Sequence, residues 1–375
     1  MTYTQTQDSW IGRARHHDDE DALRLLESDG TRVAEPTLDP WVSDLSPHEL
    51  RALHRDMVLT RRLDAEGVAL QRQGQLALWA PCRGQEATQV GTAHALAPGD
   101  FVFPSYREHG VLLGRGAQPA DYVLAWRGEE HSAYDHTTIN AAPPQIIIGA
   151  QSLHATGWAM GAQRDGSTDV AVAYYGDGAT SQGDVNEAMV FASSFRAPVV
   201  FVCSNNQWAI SEPVTVQSEF PLAGRAPGFG IPSLRIDGND ALACVAAMRW
   251  ALDRARRGEG PSFLEAVTYR MGPHTTSDDP TRYREPGEVE AWAERDPIAR
   301  LEAYLRAEGM LDDGGLAEVA RAADALAAEV RAACIGATTR APETIFDHVY
   351  AEPHAGLAQQ KAEYAQYLAG FEVSR

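Results

Sequence analysis

The sequence predicts an α/β fold: a mostly parallel sheet with helices on both faces, followed by a helical C-terminal region. Three observations carry this reading. Two apolar runs, 170–175 and 198–203, lack the alternation of a half-exposed strand, so both faces of each should be covered. Between them Val185, Ala188, Met189, Ala192 and Phe195 fall at i, i+3, i+4, i+7 and i+10, which lines one face of a helix. Such a strand-helix-strand unit crosses over right-handedly and sets its two strand ends side by side, where open α/β sheets bind ligands.

The elements follow in order. Residues 1–44 are polar and charged, with a short apolar patch at Leu23, Leu25 and Leu26, and read as a partly disordered arm. A helix starts at Ser46 as N-cap, with Pro47 in the first position and Glu49 at N3; Leu50, Leu53, Met57 and Val58 give its apolar stripe, to about residue 73. Residues 81–96 read as a loop entering a helix near Gln85, with Gly91 and Ala93 small enough for close packing. Residues 98–116 bring a short strand, a turn at Pro104 and an exposed-looking Ser-Tyr-Arg. Residues 128–145 read as an irregular loop over the site. Its His131 and His136 read as solvated rather than as metal ligands.

Residues 144–163 give a short strand entering a helix whose Gly157 and Gly161 allow close helix contact. In the central unit Asp184 reads as an N-cap and Glu187 completes a capping box. A Pro/Gly-rich loop, 212–232, precedes a second strand, a turn at Asp237-Gly238, a helix stopped at 258–261 and a last strand. Residues 272–288 form a long polar loop, 296–340 are amphipathic helix, and a charged helix ends the chain. Three regions result: an arm (1–44), an α/β domain (45–295), and a helical region (296–375) read as a subunit interface.

Composition narrows the function. The formal charge of -20 argues against nucleic acid and anionic membrane as partners. No apolar run approaches the roughly 18 residues of a bilayer span. Cys82, Cys203, Cys244 and Cys334 lie far apart, suggesting neither a zinc site nor a disulfide framework. The first twenty residues carry no hydrophobic targeting segment, so a cytoplasmic location is expected.

The chemistry sits in the two turns after the central strands. Asp177 and Asn206 offer hard oxygens of the kind magnesium takes, in a sphere it shares with phosphate and water. Gly178 lets the backbone approach a phosphate, and the amides after it, Ala179 first, can donate to the anion. Tyr106 and Arg107 are a phenol and a guanidinium fork suited to phosphate. A dinucleotide fingerprint fails, because Ser181 stands where its third glycine belongs, and no GxxxxGK[ST] occurs. His274 can donate to an anion or shuttle a proton.

The words GDGATSQGD, NNQWAIS and GPHTTSDDPTRYR resemble the alpha subunit of the decarboxylating component of two-chain 2-oxo acid dehydrogenase complexes, over about residues 45 to 350. The resemblance implies a thiamin diphosphate-binding fold. Magnesium would be held by Asp177, Asn206 and the backbone of Trp208, and the diphosphate by Tyr106, Arg107, Gly178, Ala179 and His274. Ile148 and Ser152 would support the aminopyrimidine ring, and His274 would be the catalytic histidine. The small-residue helix with Gly157 and Gly161 would pair subunits.

Trp208 replaces the family's usual Tyr, a tolerable change if the backbone is the ligand, and Ser204 replaces a diphosphate-binding Arg of branched-chain relatives. His154 and Ala155 stand where some relatives bind a monovalent cation. Thr275 matches a phosphorylated serine of mitochondrial relatives, and no such regulation is expected here. No glutamate is placed to activate the cofactor; in the family the beta subunit supplies it. The chain is therefore expected to be inactive alone, to form an alpha2beta2 heterotetramer, and to pass an acyl group to a lipoyl domain of the transacylase component. Branched-chain 2-oxo acids are the favoured substrates, pyruvate the alternative and acetoin a third. A non-catalytic magnesium-dependent binding or scaffold subunit is the reading from another class.

Overall fold

The computed structural model describes residues 21–129 and 134–372. The strands, in chain order, are β1 (Phe101–Phe103), β2 (Ala171–Gly176), β3 (Val199–Asn205), β4 (Trp208–Ala209), β5 (Glu212–Pro213), β6 (Ser233–Asp237) and β7 (Ser262–Val267). Five form a parallel sheet in the order β1-β2-β3-β7-β6, and β4 and β5 pair separately and antiparallel.

Alternate residues of β2 and β3 enter two different cores. Val172, Tyr174, Val200 and Val202 pack with buried residues of the helices Pro47–Arg72 and Ala241–Arg256. Ala171, Ala173, Phe201 and Cys203 pack with those of Ala150–Arg164 and Gly183–Phe195. Both faces are apolar because both are covered, which is why the sequence shows no alternation.

The helix Pro47–Arg72 carries the expected capping box: Glu49 N donates to Ser46 Oγ at 3.3 Å, and Ser46 N donates to Glu49 Oε2 at 2.8 Å. Gly91, on the helix Glu86–His94, lies against the helix Ala241–Arg256, where an added Cβ would come within 2.7 Å of the Cys244 Cβ. Close packing needs the glycine.

Several local expectations are corrected. The helix Gly183–Phe195 has Gln182 as N-cap, and its Asp184 lies inside the first turn, so the box with Glu187 does not form. Phe195 is 49% exposed and stacks on Phe191 rather than entering the core. Ten residues at 100° each leave it about 80° from Val185 around the helix. No strand forms at 144–149 beyond one bridge, Ser105 to Gln145, and Ile146 and Ile147 are exposed. Their apolarity marks an uncovered surface, not a sheet position.

The arm expected over 1–44 is, from Asp21 onward, part of the core; residues 1–20 lie outside the described residues, as does His131. Leu25 and Leu26 are fully buried, and their backbone amides donate to Asp240 Oδ2 at 2.6 and 2.7 Å. Leu23 pairs in parallel with Ile236, extending the sheet beyond β6. Three leucines carry too little pattern to announce this, because their partners, the backbone of β6 for Leu23 and the Asp240 carboxylate for Leu25 and Leu26, lie more than two hundred residues away.

The boundary at 295/296 moves as well. In the helix Pro297–Ala307, Ile298, Leu301 and Leu305 join the core that holds Leu50 and Leu53, and buried Arg300 pairs with buried Asp237 at 2.7 Å. The first compact unit runs to Ile335. The second, from Gly336, contains the helix Ala355–Glu372, where Tyr364 meets Phe346 and Lys361 pairs with Asp347. Among the described residues no helix is long and apolar enough to cross a membrane.

Candidate active site

The register of the sheet builds the site. Gly176, at the end of β2, pairs with Ser204 of β3. Asp177 and Asn206 therefore leave neighbouring strands at the same edge. They open on a cavity of about 510 Å³. Tyr106, Arg107, Ile148, Asp177, Gly178, Ala179, Asn206, Trp208 and His274 all line it. Ser152 does not: it is fully buried in the helix Ala150–Arg164, while Gly149 and Gln151 reach the wall. Gln151 and Ser152 are both buried, and one helical step of 100° turns the second away from the cavity.

Asp177 is nearly fully buried, and burial pushes its carboxyl up to about 6, offset in part by a hydrogen bond from Gln217 and by the Arg270 charge. Gln217 Nε2 donates to Asp177 Oδ2 at 2.8 Å. Asn206 is oriented at both ends of its amide: Nδ2 donates to Gln85 Oε1 at 3.3 Å, and Oδ1 accepts from the Trp208 amide at 3.3 Å. The Trp208 carbonyl accepts from Arg270 Nη1 at 3.0 Å, which uses one of its two lone pairs. A buried carboxylate whose pKa is raised by burial, beside an oriented amide, is a donor set that fits a small divalent cation. Gly178 is tight: a Cβ there would lie 2.7 Å from the Ala209 Cβ.

Facing this pair is a cationic cluster. Arg107 Nη2 donates to His274 Nδ1 at 3.1 Å and to its carbonyl at 3.0 Å, while Nη1 donates to the Pro81 carbonyl at 2.5 Å. Arg270 Nη1 approaches the same Nδ1 at 3.4 Å. Burial, then the charges of Arg107 and Arg270, pull His274 down to about 3. Asp278 Oδ2 accepts from the His274 amide at 2.7 Å, and the Tyr106 ring meets the imidazole edge-on at 6.0 Å. Two buried guanidinium groups converging on one imidazole fit an anionic ligand, whose charge would relieve their mutual repulsion.

The expected surface exposure of Ser-Tyr-Arg is corrected: Ser105 and Arg107 are buried, and only Tyr106 is half exposed. Sequence reading also passed over Gln85, Glu108, Gln217 and Arg270. Glu108 lines the cavity, is buried, and accepts from Ser105 Oγ at 2.6 Å; burial raises its pKa. Arg270 carried a usable signal, since it follows the carboxyl end of β7, on the edge that already held Asp177 and Asn206. The buried Ser204 Oγ has no hydrogen-bond partner among the described residues.

Comparison with known proteins places the chain in a family. A family model described as dehydrogenase E1 component matches residues 54–349. The chain is similar to the 3-methyl-2-oxobutanoate dehydrogenase subunit alpha of Mycobacterium tuberculosis, 49% identical over 352 residues, 94% of this chain and 95% of that protein. It is also similar to pyruvate dehydrogenase E1 component subunit alpha of Acholeplasma laidlawii, 41% identical over 87% of this chain and 95% of that protein. The corresponding subunit of Staphylococcus epidermidis is 40% identical, with 92% of each chain covered.

Proposed function

This chain belongs to the dehydrogenase E1 component family, and on that premise we propose that it is the alpha subunit of the decarboxylating component of a branched-chain 2-oxo acid dehydrogenase complex. The observation that carries the reading is one cavity with two chemically different sides: the oxygen pair Asp177 and Asn206, and the Arg107 guanidinium with the neutral imidazole of His274, which Arg270, outside the lining, also approaches. The higher identity to a 3-methyl-2-oxobutanoate enzyme than to pyruvate enzymes supports the branched substrate, and the latter keep pyruvate as the alternative.

Thiamin diphosphate, when bound, supplies the nucleophile and electron sink that decarboxylation of a 2-oxo acid requires. Asp177, Asn206 and the Trp208 carbonyl would hold its magnesium. Tyr106, Arg107, His274 and the backbone at Gly178 and Ala179 would hold its diphosphate. Ile148 would support the aminopyrimidine from the wall; Ser152, buried in the helix Ala150–Arg164 and outside the lining, takes no part. Leu78, Trp126 and Ile146 add apolar surface to the cavity lining. His274 Nδ1 accepts from Arg107, which has no acceptor of its own, so the imidazole proton is on Nε2. That proton is the one His274 can give during acyl transfer to lipoyl.

In this reading Glu108 is engaged with Ser105, and a beta subunit supplies the activating glutamate. Gly157 and Gly161 are exposed with open space where a Cβ would stand, and Ile146, Ile147, Phe191 and Phe195 are exposed as well. These surfaces are the ones an alpha2beta2 assembly would cover. A cytoplasmic enzyme that delivers its acyl group to a transacylase lipoyl domain completes the proposal. Dye-coupled oxidation of 2-oxo acids by the chain with and without a beta subunit tests it: turnover is expected only with both.

A further inference from the structure

The loop beyond Asn206 returns one amide side chain to the metal pair. Gln217 ends the short helix Val214–Gln217, and its Nε2 donates to Asp177 Oδ2 at 2.8 Å. Its Oε1 accepts from Ser181 Oγ at 3.5 Å, which sets which end of the amide faces Asp177. Its backbone carbonyl accepts from Arg225 Nη2 at 2.8 Å. The same guanidinium donates through Nη1 to the Thr180 carbonyl at 2.8 Å and to Thr180 Oγ1 at 3.0 Å. Thr180 and Ser181 belong to the tight turn Asp177–Ser181, so Arg225 ties Gln217 to the segment that carries Asp177.

The side-chain type matters. The terminal torsion of an aspartate has a broad well, so a carboxylate that ligates an ion through one oxygen is oriented only if something holds it. A lysine or arginine at this place would neutralise Asp177 and compete with the ion; a glutamate would repel it. A neutral N–H donor holds one oxygen and leaves the charge for the metal.

We infer that Gln217 is the positioning residue for Asp177 as a metal ligand, with Arg225 anchoring it. This rests on the reading of Asp177 as a magnesium ligand. The test uses the full chain assembled with its beta subunit, thiamin diphosphate, and Mn²⁺ in place of Mg²⁺, with free Mn²⁺ read by electron paramagnetic resonance. Gln217→Met, of similar length without a donor, should bind Mn²⁺ roughly 10–100-fold more weakly. Turnover should return toward the wild-type kcat at saturating metal, and the melting temperature without metal should be unchanged. Gln217→Ala, too short to clash, should weaken Mn²⁺ binding as well. Wild-type affinity in both variants, or a kcat loss that excess metal does not restore, overturns the inference while leaving the metal site standing. Failure of the wild type to bind Mn²⁺ overturns both.

Discussion

Arg107 grips His274 twice, donating from one guanidinium nitrogen to the imidazole Nδ1 at 3.1 Å and to the backbone carbonyl at 3.0 Å. The ring is thereby held as the neutral tautomer with its proton on Nε2. Burial and the Arg107 and Arg270 charges depress its pKa from 6.5 to about 3. The unfolded chain takes up a proton near 6.5 that the folded chain refuses until about 3, so this group costs stability as pH falls through that window. Replacing it by glutamine removes the cost. Urea unfolding of wild type and His274→Gln should therefore show the difference moving against wild type between about pH 7.5 and about pH 5. A difference independent of pH would mean that His274 protonates freely in the fold.

His274 should matter more for acyl transfer than for decarboxylation. In His274→Ala, dye reduction is expected to fall less than acylation of a lipoyl domain, measured on the same preparation. Equal losses in the two assays would remove the transfer role.

Asp177→Ala and Asn206→Ala should each lower cofactor-dependent turnover by roughly two orders of magnitude or more. Asp177→Ala should not unfold the chain, because burial already disfavours the charged carboxylate, raising it to about 6. Thermal unfolding with and without magnesium and thiamin diphosphate reads this directly: wild type gains stability on their addition, and the variants do not. Wild-type turnover in either variant would favour the scaffold reading.

Gly178→Ala forces a Cβ to 2.7 Å from the Ala209 Cβ, pressing the turn after β2 against β4. Overpacking of this kind costs about 1–3 kcal/mol. The loss should show in urea unfolding, together with weaker cofactor binding. An unperturbed variant would mean that the 208–211 turn gives way easily.

Much of this site was legible because the sheet puts its chemistry at strand ends. Asp177 and Asn206 each follow an unbroken apolar run, and period alone joined the runs through a helix, so the Gly176 to Ser204 register brought them together as expected. What the sequence hid depends on distance or on the absence of charge. Leu25 and Leu26 stand out only as a short apolar patch, and the Asp240 carboxylate that takes their backbone amides and the core that takes their side chains are remote in sequence. Gln85 and Gln217 carry no charge and act by holding other side chains, so composition does not single them out. Phe195 misled for geometric reasons, since a spacing of ten drifts off the face that spacings of three, four and seven define.

The most direct measurement is dye reduction by the chain assembled with its beta subunit, magnesium and thiamin diphosphate, given 3-methyl-2-oxobutanoate and pyruvate in parallel. The account predicts a higher kcat/KM for the branched acid. A preference for pyruvate, or turnover with neither acid from a well-formed complex, would contradict the substrate assignment, the latter pointing to acetoin and, failing that, to the scaffold reading.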